Sequence, residues 1–367
     1  MALNKSELVK LAKTVAGANP TSQVAYSFGE EKFSYADLNE TLRAELRELA
    51  GTYSLYRENK NTIFSIIEET IDDVLPRKVM EQYTSFAEIK TYAQGDKPIF
   101  TQRITASAKR RAKRFVTKVG LAGIYEVFKL DGKTLEVPTE AFGGAAQIGF
   151  EEFLDGRVDF ADVLDVIMEG LDEAIYIEIE KALRATIDSL QDTNKASETG
   201  FVESTMDNLI AIADSYGRST IYCTYEFAAT MLPAEGWASS EMKNERWNNG
   251  YLANYKGHNV IVLDQSFVDE TNTKKVIDPS YAYIIPVGAD KPVKIAFEGN
   301  TIVDEYTNAD RSREIQVYKK VGVVCMLTND ICAYVDTSLM GQLDTWNLDG
   351  ITGKVITLDG RKDGTIA

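Results

Sequence analysis

The sequence predicts an α+β fold with more than one packing unit, and three features carry that prediction. Residues 159–190 form one long helical pattern, with apolar residues three and four apart. Buried-strand patterns follow this helix. Residues 201–290, a segment of mixed helices and strands, lie between the helix and the last long strands. The chain is also 367 residues long, beyond the size at which one hydrophobic core usually stops growing.

The first 95 residues are predicted to be helical and acidic, ending in one strand. Apolar periodicity indicates helices over 6–15, 35–49 and 61–74, the last ending before Pro76, and alternation indicates a strand over 86–92. Polar linkers separate these helical faces. We therefore expect an extended arm that packs on something else, rather than one compact core.

Composition excludes several classes of protein. A net charge of −16 argues against a nucleic-acid binder, because neutralising phosphates requires a basic surface. No apolar run approaches the roughly 18 residues of a membrane span, and the first residues lack the apolar core of a signal peptide. The three cysteines, Cys223, Cys325 and Cys332, show no pairing pattern and fit a reducing compartment.

Residues 97–125 have the most unusual local composition in the chain, because they are rich in lysine and arginine and contain no acidic residue. One interpretation is a projecting segment that lies on the acidic surface of another copy. A single-strand nucleic-acid interface would need more aromatic residues than Phe100 and Phe115. A solvated basic loop is the third interpretation. A hairpin turn is predicted at Asp131–Gly132.

The sequence offers little catalytic chemistry, so we predict no enzyme, no catalytic residues, no metal site and no cofactor. His258 is the only histidine and lies in a probable turn before a strand, where we expect a structural role. No GxSxG, CxxC or HExxH motif occurs. Adjacent carboxylates on the predicted helices are expected to be solvated faces rather than acid/base pairs.

Three local patterns and the order of the parts support a resemblance. The patterns are 148–156 (IGFEEFLDG) before the long helix, 247–250 (WNNG) followed by 255–262 (YKGHNVIV), and 313–324 (REIQVYKKVGVV). Over residues 30–338 the chain resembles tailed-bacteriophage major capsid proteins of the Hong Kong 97 fold. The resemblance implies an N-terminal arm and first strand (1–95), an E-loop (96–138), a peripheral domain (139–200 and 291–338) containing the spine helix (159–190), an axial domain (201–290) and a C-terminal tail (339–367).

The resemblance also implies a function and partners. Family members assemble as hexamers and pentamers into an icosahedral shell that encloses packaged double-stranded DNA, which this acidic chain would not bind sequence-specifically. We expect a virion protein that assembles in the host cytoplasm. Its expected partners are a portal and either a separate scaffolding protein or none, and whether a decoration protein binds is left open. The short arm and retained Met1 underlie the scaffolding expectation. No membrane partner is expected.

Two alternatives remain open at this point. An encapsulin-like bacterial nanocompartment shell shares the fold but would house an enzyme. A cytosolic enzyme with an α/β domain belongs to a different class, and it would sediment as a monomer or dimer rather than as a particle of megadalton mass.

Two site hypotheses follow. Seven basic residues of the E-loop are expected to contact carboxylates on an adjacent copy, either Glu68, Glu69, Asp72 and Asp73 of the arm or those of the spine helix. These residues are Arg103, Lys109, Arg110, Arg111, Lys113, Arg114 and Lys118. Gly170, in the middle of the spine helix, is expected to be a hinge.

Overall fold

The computed structural model has two main β-sheets joined by a long helix. It describes residues 4–16, 26–28, 31–102, 133–147, 160–232, 239–263, 265, 267, 275–286, 291–307, 313–327, 330–342 and 355–357. The helices are α1 (Lys5–Ala16), α2 (Tyr35–Ala50), α3 (Tyr53–Tyr83), α4 (Phe160–Ser189), α5 (Glu203–Asp214), α6 (Tyr225–Thr230) and α7 (Ser240–Asn249), with a 3₁₀ turn at Thr337–Gln342.

Fifteen strands are present in the described part of the chain. The first seven are β1 (Tyr26–Phe28), β2 (Glu31–Phe33), β3 (Ala87–Tyr92), β4 (Ile99–Gln102), β5 (Lys133–Glu136), β6 (Glu140–Gln147) and β7 (Lys195–Glu198). The others are β8 (Ser219–Cys223), β9 (Asn254–Tyr255), β10 (His258–Val262), β11 (Tyr281–Pro286), β12 (Val293–Thr307), β13 (Arg313–Leu327), β14 (Cys332–Asp336) and β15 (Val355–Thr357).

The first sheet is built on the antiparallel pair β12–β13, two strands of 15 residues each. On the far side of β12, β3 pairs in parallel. On the far side of β13, β6 pairs antiparallel with one end and β15 pairs in parallel with the other. The register of β12 shifts between Glu298 and Ile302, where the strand forms a bulge against β13.

Alternation along these strands divides their side chains between two faces. One face, which includes Phe297, Val321 and Val323, joins a core shared with α1, α2, α3 and α4. The other face contributes Ala296, Val324 and Met326 to a small second core under the β4–β5 hairpin. The sheet therefore has the helices on one face and the base of the predicted E-loop on the other.

The predicted helix over 159–190 is observed as α4, Phe160–Ser189. Its buried residues repeat at helical spacing against the first sheet: Met168, Leu171, Ile175, Ile179, Ala182, Leu183 and Ile187. This single apolar stripe explains why the sequence pattern was continuous over so many turns.

The N-terminal helices differ from the expected extended arm. Leu11, Leu38 and Ile71 are almost completely buried and belong to the same core as the first sheet. The predicted end of the third helix before Pro76 is wrong, because α3 continues through Pro76 to Tyr83. A proline inside a helix costs about 3 kcal/mol. Burial of the neighbouring Val74, Leu75 and Val79 offsets that cost.

The second sheet has six strands in the order β7-β14-β11-β8-β10-β9. Its core contains α5 and α6 and residues such as Met206 and Phe227. The sheet extends beyond residues 201–290, since β7 and β14 come from the flanking segments and complete one edge.

Candidate inter-subunit interface

The seven basic residues predicted to contact a neighbouring copy, Arg103 to Lys118, lie outside the described residues. The two ends of their segment are described, at Gln102 and Lys133, and these two residues pair as the last rung of the β4–β5 ladder. Residues 103–132 therefore connect two antiparallel strands. The projection of this segment over a neighbouring copy stays a prediction.

A small hydrophobic core fixes the base of this segment to the first sheet. Phe100 is 1% exposed and packs with Leu135 and Val137 against Val324 and Met326. The backbone N–H of Val137 donates to the carbonyl of Pro98 at 2.9 Å. Burying three large apolar side chains contributes several kcal/mol, by order of magnitude, so the base is held firmly.

Charged side chains reinforce this base from the sheet below. Lys90 and Lys294 lie over the ring of Phe100, with their Nζ atoms 4.6 Å and 5.8 Å from its centre. Both lysines also donate to Glu88, Lys90 at 2.8 Å. Burial alone would raise the pKa of Glu88, but the hydrogen bonds and charges of Lys294 and Lys90 outweigh it and lower that pKa.

Glu298, at the bulge of β12, joins both ends of the segment. One of its carboxylate oxygens accepts from the hydroxyl of Thr139, after β5, and the other accepts from the backbone N–H of Gly95, before β4, at 3.3 Å. Lys320 lies 3.4 Å away. The hydrogen bond from Thr139 is the largest of the effects that lower the pKa of Glu298. One carboxylate therefore connects both ends to the sheet.

The four arm carboxylates predicted to receive the basic segment already have partners within the chain. Asp72 accepts from Lys319 and from the backbone and hydroxyl of Thr301, while Glu68 accepts from the backbone N–H of Val303 at 3.0 Å. Glu69 pairs with Lys5 at 3.3 Å, and Asp73 pairs with Lys13 and Arg77. Only Glu69 and Asp73 keep about half of their side-chain surface exposed.

A cavity of about 430 Å³ brings a second set of carboxylates together. It opens between α4, the end of α3 and the end of β10. Carboxylates of α4 line one wall, and aromatic rings together with the aliphatic residues 261–263 line the others. The residues are Glu169, Asp172 and Glu173 with Tyr83, Phe86, Tyr176 and Phe267, and the rings of Tyr83 and Tyr176 stack at 5.5 Å. Carboxylates beside aromatic faces suit a cationic segment.

Gly170 lies on the solvent side of α4, one residue from the carboxylate of Glu169. The helix continues without interruption through this position. No atom lies within 4 Å of the place where a Cβ would be. The glycine is therefore not required by close packing, and its role as a hinge stays a prediction.

A buried ionic cluster between α4 and the second sheet was not predicted from the sequence. Glu180 is 3% exposed, receives a hydrogen bond from the Tyr283 hydroxyl at 3.5 Å and lies near Arg184. Arg184 pairs with Asp278 at 3.1 Å and donates to the Tyr281 hydroxyl at 3.4 Å. Burial, only partly offset by the charge of Arg184, raises the pKa of Glu180 to about 7.

The structure gives His258 structural partners. Its Nδ1 lies 3.1 Å from the hydroxyl of Ser219, and its Nε2 lies 3.5 Å from Asp214. Within the described ranges, no group of three or more His, Cys, Asp or Glu side chains is arranged to hold a metal ion. In the same part of the chain, no helix combines the length and apolar character that crossing a bilayer requires.

Solved structures of viral and virus-like particles are similar to this chain at low identity. The virus-like particle from Pyrococcus furiosus is 12% identical, with 71% of this chain and 97% of that chain covered and a TM-score of 0.39. The head structure of Helicobacter pylori bacteriophage KHP40 is 14% identical, with 70% of this chain and 90% of that chain covered and a TM-score of 0.45. The capsid of a native GTA particle is 11% identical, with the same two coverages and a TM-score of 0.48.

Family membership rests on a sequence comparison. The search of curated proteins found no match. The family model described as "SPbeta prophage-derived putative capsid protein YonB" matches residues 7–336, which extend from α1 to the end of β14. The chain therefore belongs to the YonB family of phage capsid proteins, as the resemblance predicted.

Proposed function

We propose that this capsid protein assembles as hexamers and pentamers into an icosahedral shell that encloses packaged double-stranded DNA. The observation that carries the proposal is the family match over residues 7–336, which includes the anchored β4–β5 base. A strongly acidic chain suits a shell that encloses DNA without binding it tightly. The protein would be part of the virion, after assembly in the host cytoplasm beside a portal and a separate scaffolding protein.

The parts of the chain take distinct roles in this proposal. Residues 96–138 are the E-loop, which reaches a neighbouring copy, and α4 with the first sheet forms the peripheral domain. The six-stranded sheet forms the axial domain at the centre of each capsomer. Because β7 and β14 complete that sheet, the axial domain includes them as well as residues 201–290.

The basic residues of the E-loop need acceptors that remain accessible. Glu69 and Asp73 each already pair with a basic residue of their own chain. The acidic, aromatic cavity beside α4 is the acceptor we favour, since an arginine can pair with Glu169 or Glu173 there while it stacks on a ring. Exposed single pairs contribute about 0.2–1 kcal/mol each. Repetition at every subunit of a closed shell makes assembly strongly dependent on salt.

Sedimentation of the purified protein tests the shell. We expect a species of megadalton mass built from 40.8 kDa subunits. A monomer or dimer at all protein concentrations would refute both the phage shell and the encapsulin-like alternative. The contents of the particle separate these two, because packaged DNA supports the phage capsid and an enclosed enzyme supports the nanocompartment.

Charge neutralisation tests the E-loop contact. Arg110, Arg111 and Arg114 changed together to glutamine should leave a folded subunit that fails to form stable shells at moderate salt. The matched control changes three exposed basic residues of α1, α2 and α3 to glutamine, so that the net charge changes equally. These residues are Lys10, Arg47 and Arg57. Normal assembly of the first variant across the salt range would show that residues 103–118 are only a solvated loop.

A further inference from the structure

Helix α7 is held firmly at both ends although none of its residues is buried. At its start, the hydroxyl of Ser239 accepts from the backbone N–H of Met242 at 3.3 Å. At its end, Gly250 has φ +82°, and its N–H donates to the carbonyl of Arg246 at 2.7 Å. A carboxylate oxygen of Glu245 accepts from the backbone N–H of Ala253 at 2.9 Å, which ties the helix to the following turn.

The close approach of Tyr225 fixes this end further. A Cβ at Gly250 would lie 2.2 Å from the hydroxyl oxygen of Tyr225, so no other residue fits there without displacing the ring. Tyr225 also meets Tyr251 edge to face, with ring centres 6.3 Å apart. The position of α7 is therefore specified by its caps and by one aromatic contact, and not by burial of its own side chains.

The helix nevertheless presents large apolar surface to solvent. Trp247 is 89% exposed, the highest value among the exposed large hydrophobic residues of the described chain, and Tyr225 is 49% exposed. Trp, Tyr and Arg are the residue types that most often dominate binding energy at protein interfaces. All three occur here, since Arg246 precedes Trp247. A tryptophan held in a fixed position and left in water indicates a contact made in the assembly.

The charge of this region favours another copy as the partner. Between Ser239 and His258 there are three basic and two acidic side chains, in a chain whose net charge is −16. Lys256, in the adjoining turn, is itself paired with Glu203 and Asp207 at 2.5 Å each. Two acidic copies repel each other least where their surfaces are nearly neutral. A basic partner would instead be drawn to carboxylate-rich surfaces elsewhere.

We propose that Trp247, supported by Tyr225, anchors a contact between two copies of this chain on the face of the six-stranded sheet unit that carries α7. The inference rests on the proposed shell and names one of its interfaces. Trp247 of one copy is buried by its neighbour when the capsomer forms, and each copy in the closed ring contributes one such anchor.

Tryptophan fluorescence tests the burial directly. With Trp237→Phe and Trp346→Phe, Trp247 is the single tryptophan left in the chain. We expect acrylamide to quench it freely in dissociated subunits and several-fold less in assembled particles. Particles in which quenching is unchanged would overturn the inference but leave the proposed shell intact. A chain that never assembles would overturn the proposed function and the inference together.

Substitution tests the energetic importance of the contact. Trp247→Ala should leave the thermal midpoint of the subunit unchanged, because the side chain is already exposed, and raise the concentration for half-assembly about tenfold. The concentration for half-assembly of Trp247→Phe should lie between those of the wild type and Trp247→Ala. The control, Tyr306→Ala, removes an aromatic ring that is 51% exposed on β12 and should change assembly less than twofold. Normal assembly of Trp247→Ala, with only the binding of a different phage protein lost, would overturn the inference.

Discussion

The buried carboxylate Glu180 should make the stability of the subunit fall as pH rises. It lies between α4 and the second sheet, and the groups facing it are Arg184 on its own helix and Asp278 and Tyr283 from the sheet side. Burial raises its pKa from 4.5 to about 7. The folded protein therefore prefers the protonated carboxyl, and Glu180→Gln replaces that form with a neutral group of the same shape.

The sign and size of the effect follow from the two pKa values. Because the folded pKa is the higher one, the stability linked to Glu180 is fully present below about pH 4.5 and is lost as pH rises through about 7. A separation of this size corresponds to about 3 kcal/mol, since each pKa unit is worth about 1.36 kcal/mol. We therefore expect the unfolding free energy of Glu180→Gln to exceed that of the wild type by about 1 kcal/mol or less at pH 5 and by about 3 kcal/mol at pH 8 to 9.

Denaturant unfolding of dissociated subunits between pH 5 and 9 measures this difference, and the use of dissociated subunits avoids the stabilisation that assembly itself provides. Glu178→Gln is the matched control, because Glu178 lies two residues away on α4, pairs with Lys181 at 2.6 Å and is partly exposed. The unfolding free energy of Glu178→Gln should follow that of the wild type at every pH. Parallel curves for wild type and Glu180→Gln would refute the reasoning.

Three further predictions concern other parts of the chain. Gly170→Ala should raise the unfolding free energy by about 1 kcal/mol, because the added Cβ meets open space. The same change should slow the expansion of the shell, which time-resolved scattering can follow, and an unchanged rate of expansion would argue against the hinge. Glu298→Ala should speed limited proteolysis within residues 103–132 severalfold, whereas Asp304→Ala on the same strand should not. Burial raises the pKa of Cys223, Cys325 and Cys332 to about 12, so a thiol reagent at pH 8 should label them only after denaturation.

The sequence was most informative where one apolar period ran without interruption. The long pattern over 159–190 became α4, since a single stripe packs on one sheet. It was less informative where tertiary contacts override local preference. Helix α3 continues through Pro76 because its neighbours are buried, and β12 continues past Glu298 through polar residues because β13 supplies its hydrogen bonds.

The buried charges were missed because their partners are distant in sequence. Lys319 pairs with Asp72, and Glu180 faces Asp278 and Tyr283. The sequence did contain a signal for one of them, since Lys319 occupies the same alternating face of β13 as the buried Val317 and Val321. A lysine on a buried face requires a carboxylate partner. Asp72 of α3, which was expected to contact the basic residues of a neighbouring copy, is instead the partner of Lys319 in its own chain.

A negative-stain image of the purified protein tests the central claim most directly. The account predicts closed particles of uniform size with hexameric and pentameric capsomers, and a mass in the megadalton range built from a 40.8 kDa chain. A field of monomers or dimers, at protein concentrations and salt conditions that span those of assembly, would contradict it.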